Sequence, residues 1–242
     1  MKVLIMAAGI GSRISRYLNN QPKCCVKIND IPLIKYTFEL LNKKGINDIA
    51  IVTGYNDNYI LEAIKDFKFT HFRNNFYDVT NSIASTWFAQ DFLNDKDDLL
   101  VMNGDVFIEE QILDILLQSS KSPLFLSDSS RIEDADYKFQ WDNNLLLKYG
   151  KELSIDETTG EYVGIAKISK NDILFMKEEL NKMISNQKHT YWWEDIFYRN
   201  IEKKPVYIKD IKGIFWAEVD YIEDYERIKE YMKFKTDKKI LL

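Results

Sequence analysis

The chain opens on Lys2-Val3-Leu4-Ile5-Met6-Ala7-Ala8 and runs straight into Gly9-Ile10-Gly11-Ser12-Arg13. A short apolar run ending in two closely spaced glycines predicts a buried strand that opens into a loop whose backbone can approach a polyanion. Backbone N–H groups left free by such a loop can face phosphate oxygens. Arg13 adds a planar fork of donors, and Lys23, in Gln21-Pro22-Lys23, adds a point charge. Taken alone, the glycines also suit a plain strand-to-helix turn. Arg13 and Pro22-Lys23 weigh against that reading.

Two familiar phosphate loops are excluded by spacing. The dinucleotide fingerprint G-x-G-x-x-G needs a third glycine where this chain has Ile14, and an acidic residue at the end of a strand about 20 residues on. The next apolar strand pattern comes only at 49–53. The P-loop needs Gly-Lys-Ser or Gly-Lys-Thr, and neither occurs.

At 242 residues the chain can bury a large core, and four Pro and nine Gly leave no stretch that resembles a linker. A single domain is predicted over 1–242, in two halves, 1–130 and 131–242. A net charge of −5 argues against a nucleic-acid polymer as partner, since neutralising a phosphate backbone takes a basic surface. The apolar opening is too short for a signal-peptide core, and no run approaches the ~20 residues of a membrane span. A cytoplasmic protein with no membrane contact is expected. Cys24 and Cys25 are adjacent and the only cysteines, and there are two histidines, so a disulfide framework or a His/Cys zinc site is not expected. Any metal would take oxygen ligands, which favours Mg²⁺ or another hard ion. The oligomeric state stays open between a monomer and a homodimer.

Along the first half, strand and helix patterns alternate. Asp30-Ile31-Pro32 reads as the capped start of a helix ended by Gly45; strands are predicted at 49–53, 69–72 and 99–102, and helices over 57–67, 82–93 and 112–117. This is the pattern of a doubly wound parallel sheet, whose ligands bind at the carboxyl ends of the strands. After a strand at 124–126 the rhythm changes. A hairpin is predicted at 137–149 about Asp142-Asn143-Asn144, with strands at 162–168 and 206–208, which makes a mixed-sheet insertion. Helices are expected over 171–184, 194–201 and 223–233, and the lysine-rich run 235–239 reads as a solvated tail.

Asp105, directly after the strand at 99–102, should emerge at the sheet's carboxyl edge beside the glycine loop. Asp220 ends the alternating segment 216–220, in which Trp216, Glu218 and Asp220 share one face. Two such carboxylates could hold one divalent ion between them. Each taken singly also suits a helix cap or a turn.

With these residues in view, the chain resembles the nucleotidyltransferases of the sugar-nucleotide and phosphocholine cytidylyltransferase type, over nearly its whole length. Their signature L-x-A-A-G-x-G-x-R followed by P-K is met by residues 4–13 and Pro22-Lys23, with both Ile5 and Met6 between the leucine and the alanines. Their G-D metal site corresponds to Gly104-Asp105 and their late E-[IV]-D to Glu218-Val219-Asp220. Ile14-Ser15-Arg16-Tyr17-Leu18 departs from the R-L-x-P-L-T of many sugar members, which predicts different local loop contacts.

The resemblance implies an α/β, Rossmann-like three-layer fold with a mixed, mostly parallel central sheet and a small acceptor-binding insertion, with 1–130 as the nucleotide-binding half and 131–242 as the acceptor-binding half. It implies a nucleoside triphosphate, Mg²⁺ on Asp105 and Asp220, and a phosphorylated acceptor that attacks the α-phosphorus and releases pyrophosphate. Lys23 and Arg13 become the catalytic candidates, Lys23 against the α-phosphate and Arg13 against the β- and γ-phosphates. Nucleotide contacts are implied at Ala7, Ala8, Gly9, Gly11, Gly54, Asn81, Ser85 and Asp105. The segment 74–85, rich in Asn and Ser, resembles the cytidylyltransferase branch and leans the base towards cytosine, although Asn81 and Ser82 also suit a helix start. Acceptor contacts are implied at Tyr191, Trp192, Glu194, Asp195 and Glu218, where ring faces beside carboxylates suit a cationic group. Adjacent aromatics equally suit core anchors. Lys148 and Lys151 are alternative partners for the acceptor phosphate. The activity expected is CMP transfer from CTP to a small phosphorylated or phosphonate acceptor, phosphocholine-like or otherwise amino-bearing, for cell-surface polysaccharide. The rivals are a sugar-1-phosphate nucleotidyltransferase using UTP, dTTP or GTP, and a binding-only regulatory subunit, which would have no need of the metal pair.

Overall fold

Strand β1 (Lys2–Ala7) is buried along its whole length in the computed structural model, which describes residues 1–14 and 17–240. Its side chains divide between two cores: Val3, Ile5 and Ala7 join one apolar cluster, and Leu4 and Met6 join another. A strand buried on both faces needs cover on both sides, which makes the sheet the middle of three layers. Lys2 is fully buried in this run, and its Nζ donates to the carbonyls of Phe92 at 2.7 Å and Asn94 at 3.0 Å.

After the glycine loop, a 3-10 turn at Lys23–Cys25 leads into β2 (Lys27–Ile28), β3 (Ile31–Pro32) and helix α1 (Leu33–Lys43). Asp30 does not cap α1. Asn29 and Asp30 have φ of 48° and 66° and form the two-residue turn of the β2–β3 hairpin, while Pro32 takes the N-cap position. Next come β4 (Asp48–Thr53), α2 (Asp57–Ala63), β5 (Thr70–Arg73) and α3 (Ser82–Phe88). Helix α3 is shorter than its apolar pattern, because the chain continues in turns that still bury Phe92 and Leu93. Then follow β6 (Leu99–Asn103), β7 (Val106–Ile108), α4 (Glu110–Gln118) and β8 (Leu124–Asp128). The second half contains β9 (Lys138–Asp142), β10 (Leu145–Gly150), β11 (Gly160–Ile168), α5 (Ile173–Ser185), α6 (Asp195–Tyr198), β12 (Tyr207–Asp210), β13 (Trp216–Glu218) and α7 (Ile222–Ile240).

The main sheet has the order β5-β4-β1-β6-β11-β8-β12-β10-β9. Its first four strands are parallel, and β11 inserts antiparallel between β6 and β8. Strand β11 also pairs with β9, so the last five strands curl back on one another. Helices α1, α2 and α4 cover one face through Phe38, Ile60 and Ile112, and α3, α5 and α6 cover the other through Ile83, Leu180 and Phe197. This is the three-layer α/β fold with a mixed central sheet.

Two further features matter for the site. Strands β7 and β13 pair antiparallel with Glu218 opposite Val106, which lays the segment after β13 against the turn after β6. Helix α7 packs on this ribbon through Val219, Phe107 and Ile228. The run 235–239 is not an irregular tail: α7 continues to Ile240, and Lys235 Nζ donates to Glu109 Oε1 at 2.6 Å. Lysine is a good helix former, and the buried Glu109 gives Lys235 a partner. Ser15 and Arg16, where the loop departs from the sugar-branch pattern, lie outside the described residues.

Candidate active site

Lys23 crosses the glycine loop because Gly11 has no side chain. Gly11 has φ +65°, and a Cβ there would stand 2.4 Å from Lys23 Cγ and 2.7 Å from its Cδ. The stem can therefore lie against the loop and carry its ammonium to the carboxyl edge of β1 and β6. There Nζ sits 2.5 Å from Asp105 Oδ2 and 2.5 Å from Asp220 Oδ1. Arg13 Nη1 closes the cluster at 3.0 Å from Asp220 Oδ2. The two aspartates meet because the Val219 N–H donates to the Asp105 carbonyl at 3.0 Å. The strand alternation expected through 216–220 stops at Glu218; Asp220 lies in the turn that follows, with its own N–H donating to Asp224 Oδ2 at 3.2 Å.

The electrostatics follow from packing three carboxylates and one ammonium together. Burial lowers the Lys23 pKa, but the charges of Asp105, Asp220 and Glu218 outweigh it and hold the ammonium well above its usual range. Burial likewise opposes ionisation of Asp220, yet Lys23 and then Arg13 draw its carboxyl below the usual range. Glu218 goes the other way. Burial, reinforced by Asp105, pushes its pKa well up, and Asn103 Nδ2 donates to its Oε1 at 3.0 Å.

Two cavities adjoin at this cluster and share Gly11, Lys23, Asn103, Trp192, Glu194 and Glu218 as common walls. The first, about 240 Å³, is lined further by Met6, Ala8, Gly9, Asn74, Tyr77, Thr80, Asn81, Ser82, Ser85 and Asp105. The second, about 350 Å³, is lined further by Ser12, Arg13, Asp136, Tyr137, Lys151, Tyr162 and Asp220. Burial pushes the Glu194 carboxyl up to about 8, with the charge of Asp195 adding to the effect. The hydroxyls of Tyr137 and Tyr162 are pushed up by burial and then by nearby carboxylates, so both stay protonated at neutral pH.

Most of the residues singled out from sequence therefore converge. Ala8, Gly9, Asn81, Ser85 and Asp105 line the first cavity, Arg13 and Asp220 the second, and Gly11, Lys23, Trp192, Glu194 and Glu218 both. Others stand behind the walls. Ala7 is buried in β1, and Gly54 backs the loop, where a Cβ would meet the Ala8 carbonyl at 2.7 Å. Asp195 accepts from the Trp192 N–H at 3.1 Å, and Tyr191 carries the Arg199 guanidinium 5.1 Å above its ring. The aromatic pair splits: Trp193 is fully buried and stacked on Phe125, while Trp192 is 43% exposed and edge-on to Tyr137. Lys148 pairs with Glu157 away from the cavities, and Lys151 pairs with Asp136 at the wall of the second. Sequence reasoning missed Asn74, Tyr77, Thr80, Asn103, Asp136, Tyr137 and Tyr162 as wall residues. Asn74, Tyr77 and Thr80 fall in the segment 74–85 marked by its Asn and Ser content, and Asn103 directly follows a predicted strand; the others carried no such signal.

Among the described residues, no group of three or more His, Cys, Asp or Glu side chains is arranged to hold a metal ion. Asp105 and Asp220 instead face one another across the Lys23 ammonium. Their all-oxygen donor set fits a hard divalent ion that takes one or two protein carboxylates and completes its shell with phosphate and water.

Comparison with known proteins agrees with the fold and gives the family. The family model for the MobA-like NTP transferase domain matches residues 3–137. The chain is 27% identical to the CTP:phosphoglutamine cytidylyltransferase of Campylobacter jejuni, over 93% of this chain and 98% of the relative. It is 28% identical to the choline-phosphate cytidylyltransferase of Streptococcus pneumoniae, over 96% and 99%. Among solved structures, the CTP:phosphocholine cytidylyltransferase from Streptococcus pneumoniae superposes with a TM-score of 0.77 at 22% identity, covering 96% of this chain and 98% of that one.

Proposed function

We propose, for a chain that belongs to the MobA-like NTP transferase family and is a nucleotidyltransferase, that it joins CMP from CTP to a small phosphorylated acceptor with an amino-bearing or amide-bearing head group. The observation that carries this reading is the pair of cavities meeting at Lys23. One is walled by the glycine loop with Asn81 and Ser85, the other by Tyr137, Tyr162 and Trp192 beside Glu194 and Glu218. Relatives acting on phosphoglutamine and on phosphocholine, each matched over almost their full length, support both the cytidine and the acceptor class.

In this reading CTP occupies the first cavity and the acceptor the second. An acceptor phosphate oxygen attacks the α-phosphorus in line, the bond from that phosphorus to the α,β-bridging oxygen breaks, and pyrophosphate leaves with the electron pair. The attacking oxygen is already anionic at neutral pH, so no general base is required. The work of the chain is alignment and charge neutralisation. Lys23, held protonated among its carboxylates, stabilises charge growing on the α-phosphoryl oxygens, and Arg13 takes the β- and γ-phosphates. Asp105 and Asp220 would hold Mg²⁺, which when bound supplies further neutralisation of the triphosphate. Trp192, Tyr137 and Tyr162 offer ring faces to a cationic head, and its charge would draw the carboxyls of Glu194 and Glu218, which burial holds up in the free protein, towards ionisation. The reading extends to a cytoplasmic enzyme feeding cell-surface polysaccharide, and an unchanged surface polysaccharide in a deletion strain would contradict that extension.

The test is pyrophosphate release with Mg²⁺, each of CTP, UTP, GTP, ATP and dTTP, and a panel of phosphorylated amino-alcohols, phosphorylated amides, phosphonates and sugar 1-phosphates. Turnover confined to CTP with an amino- or amide-bearing acceptor is expected. Turnover with a sugar 1-phosphate and UTP, dTTP or GTP would overturn the reading.

A further inference from the structure

Asn74 follows β5, is 1% exposed, and forms part of the first cavity's wall. Its Oδ1 accepts the Phe76 backbone N–H at 2.9 Å. A backbone N–H can only donate, so this contact fixes which end of the amide is oxygen. Nδ2 therefore donates, to Thr80 Oγ1 and to Ser85 Oγ, both at 3.0 Å. Thr80 passes its own hydrogen to the Phe76 carbonyl at 2.6 Å. The Ser85 hydrogen has no acceptor among the described residues, although Ser85 Oγ receives one from Asn74. On the same helix, Thr86 spends its hydrogen on the Ser82 carbonyl at 3.0 Å.

We infer that Asn74 is a positioning residue for nucleobase choice: by donating to Ser85 it commits that hydroxyl to donate into the cavity, towards a pyrimidine ring nitrogen that carries a lone pair. N3 of cytosine is such an acceptor. N3 of uracil or thymine carries a hydrogen and meets the same donor unfavourably. A buried polar group left facing its own kind is costly, which is why hydrogen-bonding sites discriminate more sharply than apolar ones. The inference rests on the cytidine reading above, and it adds a residue that acts through the Ser85 hydroxyl.

The test is the ratio of kcat/KM for CTP to that for UTP, at saturating Mg²⁺ and a fixed acceptor, in wild type, Asn74→Asp and Ser85→Ala. An aspartate keeps the acceptor for the Phe76 N–H but puts a second acceptor opposite Ser85. The serine then donates to it and turns a lone pair to the cavity. The ratio should fall at least ~10-fold in Asn74→Asp. Ser85→Ala leaves Asn74 tied to Thr80 and Phe76 yet deletes the donor, and should lower the ratio by a comparable factor with the melting temperature near wild type. It keeps the inference testable should the buried aspartate prevent folding. Equal losses with both nucleotides, leaving the ratio at its wild-type value, would reduce Asn74 to a loop anchor and overturn the inference. A wild-type enzyme that prefers UTP, dTTP or GTP would overturn the cytidine reading before any variant is compared, and this inference with it.

Discussion

Replacing Lys23 with methionine keeps the apolar stem across Gly11 and removes only the charge. At an effective dielectric of about 20, an ion pair at the 2.5 Å separation seen to each aspartate has a gross attraction of roughly 6–7 kcal/mol. Desolvation returns most of that, so the intact cluster contributes little net stability. Breaking it is another matter. Asp105 and Asp220, with side chains 15% and 23% exposed, are left facing each other beside Glu218, with only Arg13, on the far oxygen of Asp220, as counter-charge. Removing one partner of a buried pair costs about 3–5 kcal/mol. For a chain of this length that is a fall in Tm of roughly 6–20 °C.

The pH dependence gives this expectation its sharpest form. Lys23 has a raised pKa, so its contribution is complete below the unfolded value of about 10.5 and is lost only at higher pH. Asp220 has a lowered one, so its contribution is complete above about 4 and is lost as pH falls through the folded value. The deficit of Lys23→Met should therefore be widest from pH 5 to 9 and narrow on acidification below about pH 4. Thermal melts across that range read it directly, and the same protein should show kcat lowered ~10²–10³-fold. A variant that melts within a degree or two of wild type at pH 7, or whose deficit grows in acid, would refute the electrostatic reasoning. Near-normal kcat would remove Lys23 from the transition state.

Three other positions give independent checks. Glu194, pushed up to about 8 by burial, keeps its proton in the folded state over a range where the unfolded chain has released it. Wild-type stability therefore falls between about pH 4.3 and 8, and Glu194→Gln, which does not titrate, should gain on wild type by at most ~1.4 kcal/mol per pH unit; parallel Tm curves from pH 5 to 8 would show that Glu194 ionises normally. Trp193→Ala, at a fully buried position, should cost ~3–5 kcal/mol, whereas Trp192→Ala should leave Tm almost unchanged and raise the acceptor KM more than the CTP KM. A Trp192→Ala protein that melts early with an ordinary acceptor KM would make that ring structural.

The parts of the fold legible in the sequence are those that local periodicity specifies. Strands β1, β4 and β6 were readable because a strand buried on both faces is an unbroken apolar run, and the turn at Asn143-Asn144 because asparagine tolerates the left-handed region its φ of 49° and 62° requires. The same signal was present at Asn29-Asp30 and passed for a helix cap, since the strands it joins are two residues each. Strand β7 was missed for a like reason: at three residues, its identity comes from its partner β13 and not from its own pattern.

The site was legible as a set of residue types and illegible as an arrangement. Arg13, Lys23, Asp105 and Asp220 could each be chosen by charge and by position at a strand end or loop. That Lys23 Nζ sits between the two aspartates depends on the β7–β13 ribbon and the Val219–Asp105 hydrogen bond, which join segments more than a hundred residues apart. The second cavity shows the same limit more strongly. Tyr137 and Tyr162 read as ordinary strand residues, and they become walls because β11 pairs with β9 and curls the last five strands towards the loop after α5. The second cavity is thus a product of sheet curvature, whereas the glycine loop is a product of local sequence. On the proposed reading, substitutions at Tyr137 and Tyr162 should for that reason change the acceptor KM and leave the CTP KM near wild type, and equal changes in both would contradict the division between the two cavities.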